Sequence, residues 1–318
     1  LKSYSVCGYD PRGYCLDELV GKTFIEDFFN LKNKAMELAV KNFPEPKNYA
    51  QLEKIERMVH SISKRQLNLD LTNVYTAAND NRIKKIIKRY SSSPAFIHYN
   101  TFGTVTGRLS TTPSSFPILT LNKEYRTMIT PNNGVFVEFD YNAFELRVLT
   151  ALLGREQPKG DIHDWNIKNI FEDGTSRSEA KQRIFAWLYN PNSNDKLLSE
   201  KYDRKGLLKK YFSDGKIVTD FDREIEADDY HALHYLIQST ASDVFLEQVY
   251  KVFKILEDNN AKSYVSMLIH DSMILDFDRM DYKLLNQIKD AFKQTRYGDF
   301  KLNIQVGRTL GDLSAEWK

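Results

Sequence analysis

Residues 263–277, SYVSMLIHDSMILDF, are two apolar runs of strand length on either side of the polar pair His270-Asp271. That pattern predicts a β-hairpin with the pair at its tip. A hairpin pairs its strands antiparallel, so the sheet that holds it is at least partly antiparallel. Another strand is predicted at Val135–Phe139, inside VFVEFDYNAFELRVLTALLG (135–154), and it leads into a helix from about Ala143 to Leu153. Elsewhere strands and helices mix without a regular βαβ alternation, and no glycine-rich strand-to-helix turn of the dinucleotide-binding kind is present. The expected class is therefore α+β, with an antiparallel sheet carrying the hairpin.

Apolar residues at helical spacing predict helices over 24–43 and 48–69. In NRIKKIIKRY (81–90), Ile83, Ile86, Ile87 and Tyr90 form one stripe, and Arg82, Lys84, Lys85, Lys88 and Arg89 occupy the rest. Those cations suit a solvated helix face or contact with phosphates. After the break YSSSPAF (90–96), residues 98–126 read as short strands and loops rich in Thr, Ser, Gly and Pro. Helices are predicted again over 160–171, 175–190, 229–256 and about 281–296, with a closing strand near 301–306. The helix at 175–190 carries its own boundaries: Ser176 can cap it, Glu179 follows three residues later, and Asn190-Pro191 stops it.

The 318 residues suffice for two domains or one subdivided domain, and a net charge of +2 neither demands nor excludes nucleic acid. Cys7 and Cys15 match no zinc spacing and are too few for a disulfide scaffold, so they read as reduced thiols of an intracellular chain, in the cytoplasm or in a host's cytoplasm if viral. No apolar run reaches the roughly 20 residues a membrane helix needs, and no signal-peptide pattern opens the chain. The first residue, Leu1, is not Met, which suits a piece of a longer protein or a processed one.

Asp140 ends the predicted strand and Asp271 sits at the hairpin tip. A buried carboxylate costs several kcal/mol, roughly, unless something offsets its charge. On neighbouring strands the two could share one or two Mg²⁺ ions, a hard cation that takes one or two carboxylates, waters and substrate phosphates. Either aspartate taken alone also suits a turn or a cap. Along the helix at 177–189, Arg177, Lys181, Phe185 and Tyr189 recur every four residues. Two cations followed by two aromatics match a triphosphate followed by sugar and base, whereas a helix serving only the core would carry apolar residues at that spacing.

This stripe, with TGRLS (106–110), DYNAFELR (140–147) and HDS (270–272), resembles the family A DNA polymerases, typified by bacterial DNA polymerase I, over about residues 98–318. HDS and QST (238–240) are nearer the phage-type members. The resemblance implies a right-hand polymerase fold with an antiparallel palm sheet, helical fingers and a helical thumb-like N-terminal segment. The expected partition is 1–97 thumb-like, 98–160 first part of the palm, 161–229 shortened fingers, and 230–318 second part of the palm. It implies Asp140 and Asp271 as catalytic, metal-binding carboxylates for two Mg²⁺ ions, with Mn²⁺ able to substitute and the Tyr141 carbonyl completing a metal shell. Arg177 and Lys181 become triphosphate ligands, Lys181 also with a catalytic role, and His163 adds a phosphate contact. Phe185 packs on the incoming sugar, while Glu145 becomes a steric gate against a ribose 2′-hydroxyl, closing against Tyr189. Arg108 reads the primer terminus from the minor groove, Gln238 is its companion on the template side, His270 lies beside the primer 3′ end, and His234 lies near the template. Arg147 is expected in an internal ion pair behind the site.

The resemblance thus implies template-directed DNA synthesis on a DNA primer–template from deoxynucleoside triphosphates, with no membrane partner. It says nothing of a processivity factor or of a missing N-terminal domain. The roughly 100 residues before the palm motifs are too few for a proofreading domain, so none is expected in this chain. This sequence departs from the pattern at Ser272, where bacterial members carry Glu, at Ala143 and Asn190, at Tyr230 and His234 where Arg and Asn are expected, and in a short Pro191–Asp229 segment. The single-subunit RNA polymerases share HDS, but Glu145 would clash with a ribonucleotide and Phe185 is typical of the DNA enzymes. An inactive primer–template binding module is a further alternative; it gives no reason to keep two aspartates and two triphosphate cations.

Overall fold

The computed structural model describes residues 16–74, 80–171, 174–190, 192–193 and 195–316, so Cys7 and Cys15 lie outside the described residues. Its contacts divide the chain into two units, Leu1–Tyr49 and Ala50–Lys318. The first is dominated by helix α1 (Lys22–Asn42), where the periodicity of 24–43 predicted a helix. None of the residues of α1 is buried, and large apolar side chains such as Phe24 and Leu31 stand exposed.

The second unit carries everything else. Helix α2 (Tyr49–Ser63) leads into strand β1 (Gln66–Leu69). The helix predicted over 48–69 is therefore too long by one strand. QLNL pairs with β2 (Ala95–Phe96) through Gln66 and Leu67 and with β3 (Ile129–Thr130) through Asn68 and Leu69, and Leu67 is buried. Between them lies α3 (Asn81–Tyr90), capped by Asp80, with Ile83 and Ile86 buried as the stripe requires. Then follow β4 (Val135–Tyr141), α4 (Phe144–Leu152), α5 (Ile162–Asn169) and α6 (Arg177–Tyr189). The segment up to residue 229 folds into two short helices, Lys196–Tyr202 and Arg204–Tyr211, and a small three-stranded ribbon. Helix α7 (Ala232–Asp258), the hairpin β5 (Tyr264–Ile269) and β6 (Ser272–Phe277), helix α8 (Leu285–Lys293), and strands β7 (Leu302–Gly307) and β8 (Ala315–Glu316) complete it. The predicted last helix starts as a 3₁₀ turn at Arg279–Leu284 and ends at Lys293 rather than 296.

The central sheet has the order β5-β6-β4-β7-β8, and every neighbouring pair is antiparallel. In β4, Val137, Phe139 and Tyr141 alternate on one face and are buried, as period two demands. Tyr141 stacks between Phe144 and Phe292, at 4.5 Å from each, and donates its hydroxyl proton to the Phe292 carbonyl. This aromatic layer ties the sheet to α4 and α8. The other face of β4 carries Glu138 and Asp140, so pleat and core together decide that these carboxylates face away from the aromatic layer.

Candidate active site

Asp140 is the penultimate residue of β4, directly opposite Ser272 of β6 and Asn303 of β7. The β5–β6 hairpin pairs Ile269 with Ser272, leaving His270 and Asp271 as its two-residue turn, as predicted. His270 holds φ 57, a left-handed value that glycine usually supplies at the first position of such turns, so the backbone is strained where the site is built. The register therefore places Asp271 one residue from the direct partner of Asp140. Burial, and next the charge of Asp271, push the Asp140 carboxyl up to about 7; the Asn303 amide, 3.2 Å away, opposes the shift and Glu138 adds to it. Two carboxylates that repel each other in a half-dry site suit a divalent cation, and a donor set of carboxylates and backbone carbonyl suits Mg²⁺. Among the described residues no group of three or more His, Cys, Asp or Glu side chains forms a metal cage.

Helix α6 is capped as the sequence predicts: the Ser176 hydroxyl accepts from the Glu179 backbone N–H, and the Glu179 carboxylate accepts from that of Ser176. Its four-residue stripe is continuous. Lys181 Nζ lies 5.8 Å from the centre of the Phe185 ring, and Phe185 and Tyr189 stack at 5.8 Å with planes 5° apart. The Tyr189 hydroxyl donates to the Glu145 carboxylate on α4. Arg177 donates to Asp161 at 2.8 Å while remaining about half exposed, at 53%. Asp161 caps α5 by accepting from the His163 and Asp164 N–H groups, and it also accepts from the Asn142 amide. Burial pushes the Asp161 carboxyl up, but Arg177, Asn142 and those two N–H groups outweigh it and hold the group well below the usual range.

Arg147 is fully buried, but the ion pair expected for it does not form. Its guanidinium donates to four neutral oxygens: Asn142 O (2.8 Å), Asn142 Oδ1 (3.1 Å), Pro158 O (3.0 Å) and Gly160 O (2.8 Å). Burial lowers its pKa to about 10. Its place is forced by chain geometry: the turn after β4 and the loop before α5 both aim carbonyls into the same dry space, and one planar fork can satisfy them together.

Gly107 of TGRLS adopts φ 76, and its carbonyl accepts from Ser242 of α7 at 2.7 Å. A Cβ there would lie 2.6 Å from the Arg223 guanidinium, which is paired with buried Asp243 at 2.6 Å. Thr106 donates to Gln238 at 2.7 Å. The loop presenting Arg108 is thus bolted to the long helix.

A cavity of about 440 Å³ is lined by every residue given a catalytic, metal, nucleotide or primer–template role from the sequence except His234. His234 lies one layer back, edge-on to the Tyr189 ring at 4.9 Å. His163 is buried in the cavity wall with its Nδ1 lacking any hydrogen-bond partner among the described residues. Burial, ahead of all other influences, lowers its pKa. Asp161, Asn142, Arg223 and Asp243 support the site but were not identified from sequence. Only Asp161 left a local signal, as an acidic residue at the start of the helix predicted over 160–171.

No family model matches the chain. It is 22% identical over 316 residues to DNA polymerase I of Borreliella burgdorferi, covering 82% of this chain and 34% of that protein. It is 24% identical over 237 residues to DNA polymerase I of Caldicellulosiruptor bescii, covering 58% of this chain and 28% of that protein. With the DNA polymerase of Bacillus phage SP01 the identity is 25% over 291 residues, covering 67% and 31%. The chain therefore spans about a third of the length of the curated relatives it matches. Its fold is similar to the POL domain of Pol1 from M. smegmatis, solved in complex with DNA primer–template and dNTP, with a TM-score of 0.60 and 16% identity over 74% of this chain and 51% of that one. Sequence matches and mixed helix-and-sheet architecture agree: the chain carries a family A DNA polymerase-like region.

Proposed function

We propose that the chain is a template-directed DNA polymerase that extends a DNA primer with deoxynucleoside triphosphates. The supporting observation is the convergence of two strand-borne carboxylates and a cation–aromatic helix stripe on one cavity. In this proposal the central sheet is the palm, α6 and the short helices after it are the fingers, and the segment up to 97 is thumb-like.

Asp140, Asp271 and the Tyr141 carbonyl would hold two Mg²⁺ ions, which when bound activate the attacking primer hydroxyl and stabilise the leaving pyrophosphate. Arg177, pre-oriented by Asp161, and Lys181 meet the triphosphate charge from one helix face. His163 brings a desolvated ring nitrogen to the same phosphates. The stacked Phe185 and Tyr189 present an apolar wall to the sugar and base. Glu145, held by the Tyr189 hydroxyl, would be the group that excludes a 2′-hydroxyl. Arg108 and His270 line the wall toward the primer end, and Gln238 lies beside them on α7. Catalysis is then chiefly positioning and charge stabilisation.

The test is primer extension on a DNA template with Mg²⁺, run in parallel with deoxy- and ribonucleoside triphosphates. Extension with deoxynucleotides alone is expected. Extension with ribonucleotides moves the chain to the RNA polymerase reading. Tight primer–template binding with no extension by either moves it to an inactive binding module.

A further inference from the structure

One carboxylate beside the metal pair has no assigned part. Glu138 lies two residues before Asp140 on β4, so both side chains emerge from the same face of the sheet. Strand β7 supports them on consecutive rungs: Asn303 opposite Asp140 and Gln305 opposite Glu138. The Asn303 amide donates to Asp140 Oδ2 at 3.2 Å, and Gln305, in the amide orientation that satisfies both groups, donates to Glu138 Oε2 at 3.1 Å. From the other side, Ser272 of β6 donates its hydroxyl to Glu138 Oε1 at 2.6 Å. Ser272 sits opposite Asp140, not opposite Glu138, whose direct partner is Ile274. The Glu138 carboxylate therefore leans diagonally onto the rung of Asp140 and is held from both neighbouring strands.

Ser272 directly follows Asp271. It is also the position where the bacterial members of the family that the sequence resembles carry Glu. A serine there removes a charge from β6, and its hydroxyl fixes the charge of β4 in the same place. We infer that Glu138 supplies, across the strand pair and from outside the ligand set, the negative charge next to the divalent-cation site that Ser272 does not. This rests on the polymerase reading of the same site. Glu138 acts as a positioning residue: its negative charge is felt at Asp140 and adds to the field behind the ions that Asp140 and Asp271 would bind.

Glu138→Gln is the cleanest perturbation. Gln keeps the volume: its Oε1 can go on accepting from the Gln305 amide, and its NH₂ can donate to the Ser272 hydroxyl, which accepts as well as donates, so the charge is the chief loss. The experiment is titration of the 318-residue chain with Mn²⁺ alone, without nucleotide or DNA, following free Mn²⁺ by electron paramagnetic resonance. Asp140→Asn should abolish site-specific binding. Glu138→Gln should weaken it on the order of 10-fold, the usual effect of losing an outer-shell carboxylate. Adding Ser272→Glu to Glu138→Gln should restore it, because the charge returns from the other strand. Loss with Asp140→Asn but unchanged affinity with Glu138→Gln, or no recovery in the double variant, overturns this inference and leaves the polymerase proposal standing. Unchanged binding by Asp140→Asn overturns the metal assignment and this inference with it.

Discussion

Replacing Arg147 with Met should cost the fold about 3–5 kcal/mol, the scale expected when several buried carbonyls lose their donor at about 1–3 kcal/mol each and part of the loss is relieved by relaxation. Four hydrogen bonds of 2.8–3.1 Å converge on a side chain with no solvent exposure. Bonds to a charged group contribute about 1.5–3 kcal/mol each, so the gross figure is about 6–12 kcal/mol. Burying the guanidinium without a counter-carboxylate offsets several kcal/mol of that. Met fills part of the space but leaves the Asn142, Pro158 and Gly160 carbonyls without donors in a dry pocket, at about 1–3 kcal/mol apiece before relaxation. Lys is no remedy, because one ammonium cannot span the turn after β4 and the loop before α5. The assay is urea unfolding followed by tryptophan fluorescence, with buried Trp187 as one reporter. At a slope near 3 kcal/mol/M the midpoint should fall by about 1–2 M. A loss under about 1 kcal/mol would refute the carbonyl-fork account of Arg147.

The remaining expectations concern the site itself. Asp140→Ala and Asp271→Ala should each abolish extension while primer–template binding persists in a gel-shift assay; near-normal extension by either variant removes the metal assignment. Glu145→Ala should admit ribonucleotides, since it deletes the group held by Tyr189, and unchanged sugar discrimination in single-nucleotide incorporation removes the gate. Phe185→Tyr should increase dideoxynucleotide termination, and an unaltered termination ladder speaks against this placement of the α6 stripe. Asp161→Asn should change the pH dependence of stability. A carboxyl held below its ordinary value stabilises the fold above about pH 4 and loses that contribution as pH falls through that value toward its folded-state pKa. Wild type should therefore exceed Asp161→Asn most at neutral pH, with the gap in urea midpoints closing on acidification; a gap independent of pH counts against the Arg177–Asp161 linkage.

Much of this was legible in the linear sequence because its signals are local. The β5–β6 hairpin lies within 15 residues, and its apolar runs and polar tip read directly. The α6 stripe and its capping box obey helical spacing, so contacts from Lys181 to Phe185 and from Phe185 to Tyr189 follow from period alone. The order of the motifs singled out Asp140 and Asp271 as candidates without any knowledge of distance. Where a local rule met a competing partner, it failed: helical periodicity carried α2 through 69, but β2 and β3 offered backbone bonds that turned QLNL into a strand.

What only the tertiary structure decided is which distant residues share a rung or a pocket. Asn303 meets Asp140 across 163 positions of chain, and Ser272 reaches Glu138 across 134. Register between such strands depends on which face the core buries, and no window of sequence contains that choice. Arg147 was read as half of an ion pair because a buried cation ordinarily seeks an anion. The folded chain instead surrounds it with carbonyls from two loops that come together only after β4 and α5 have packed. Residue types and short-range period determine what the chain can do chemically; long-range packing determines which groups are held close enough to do it.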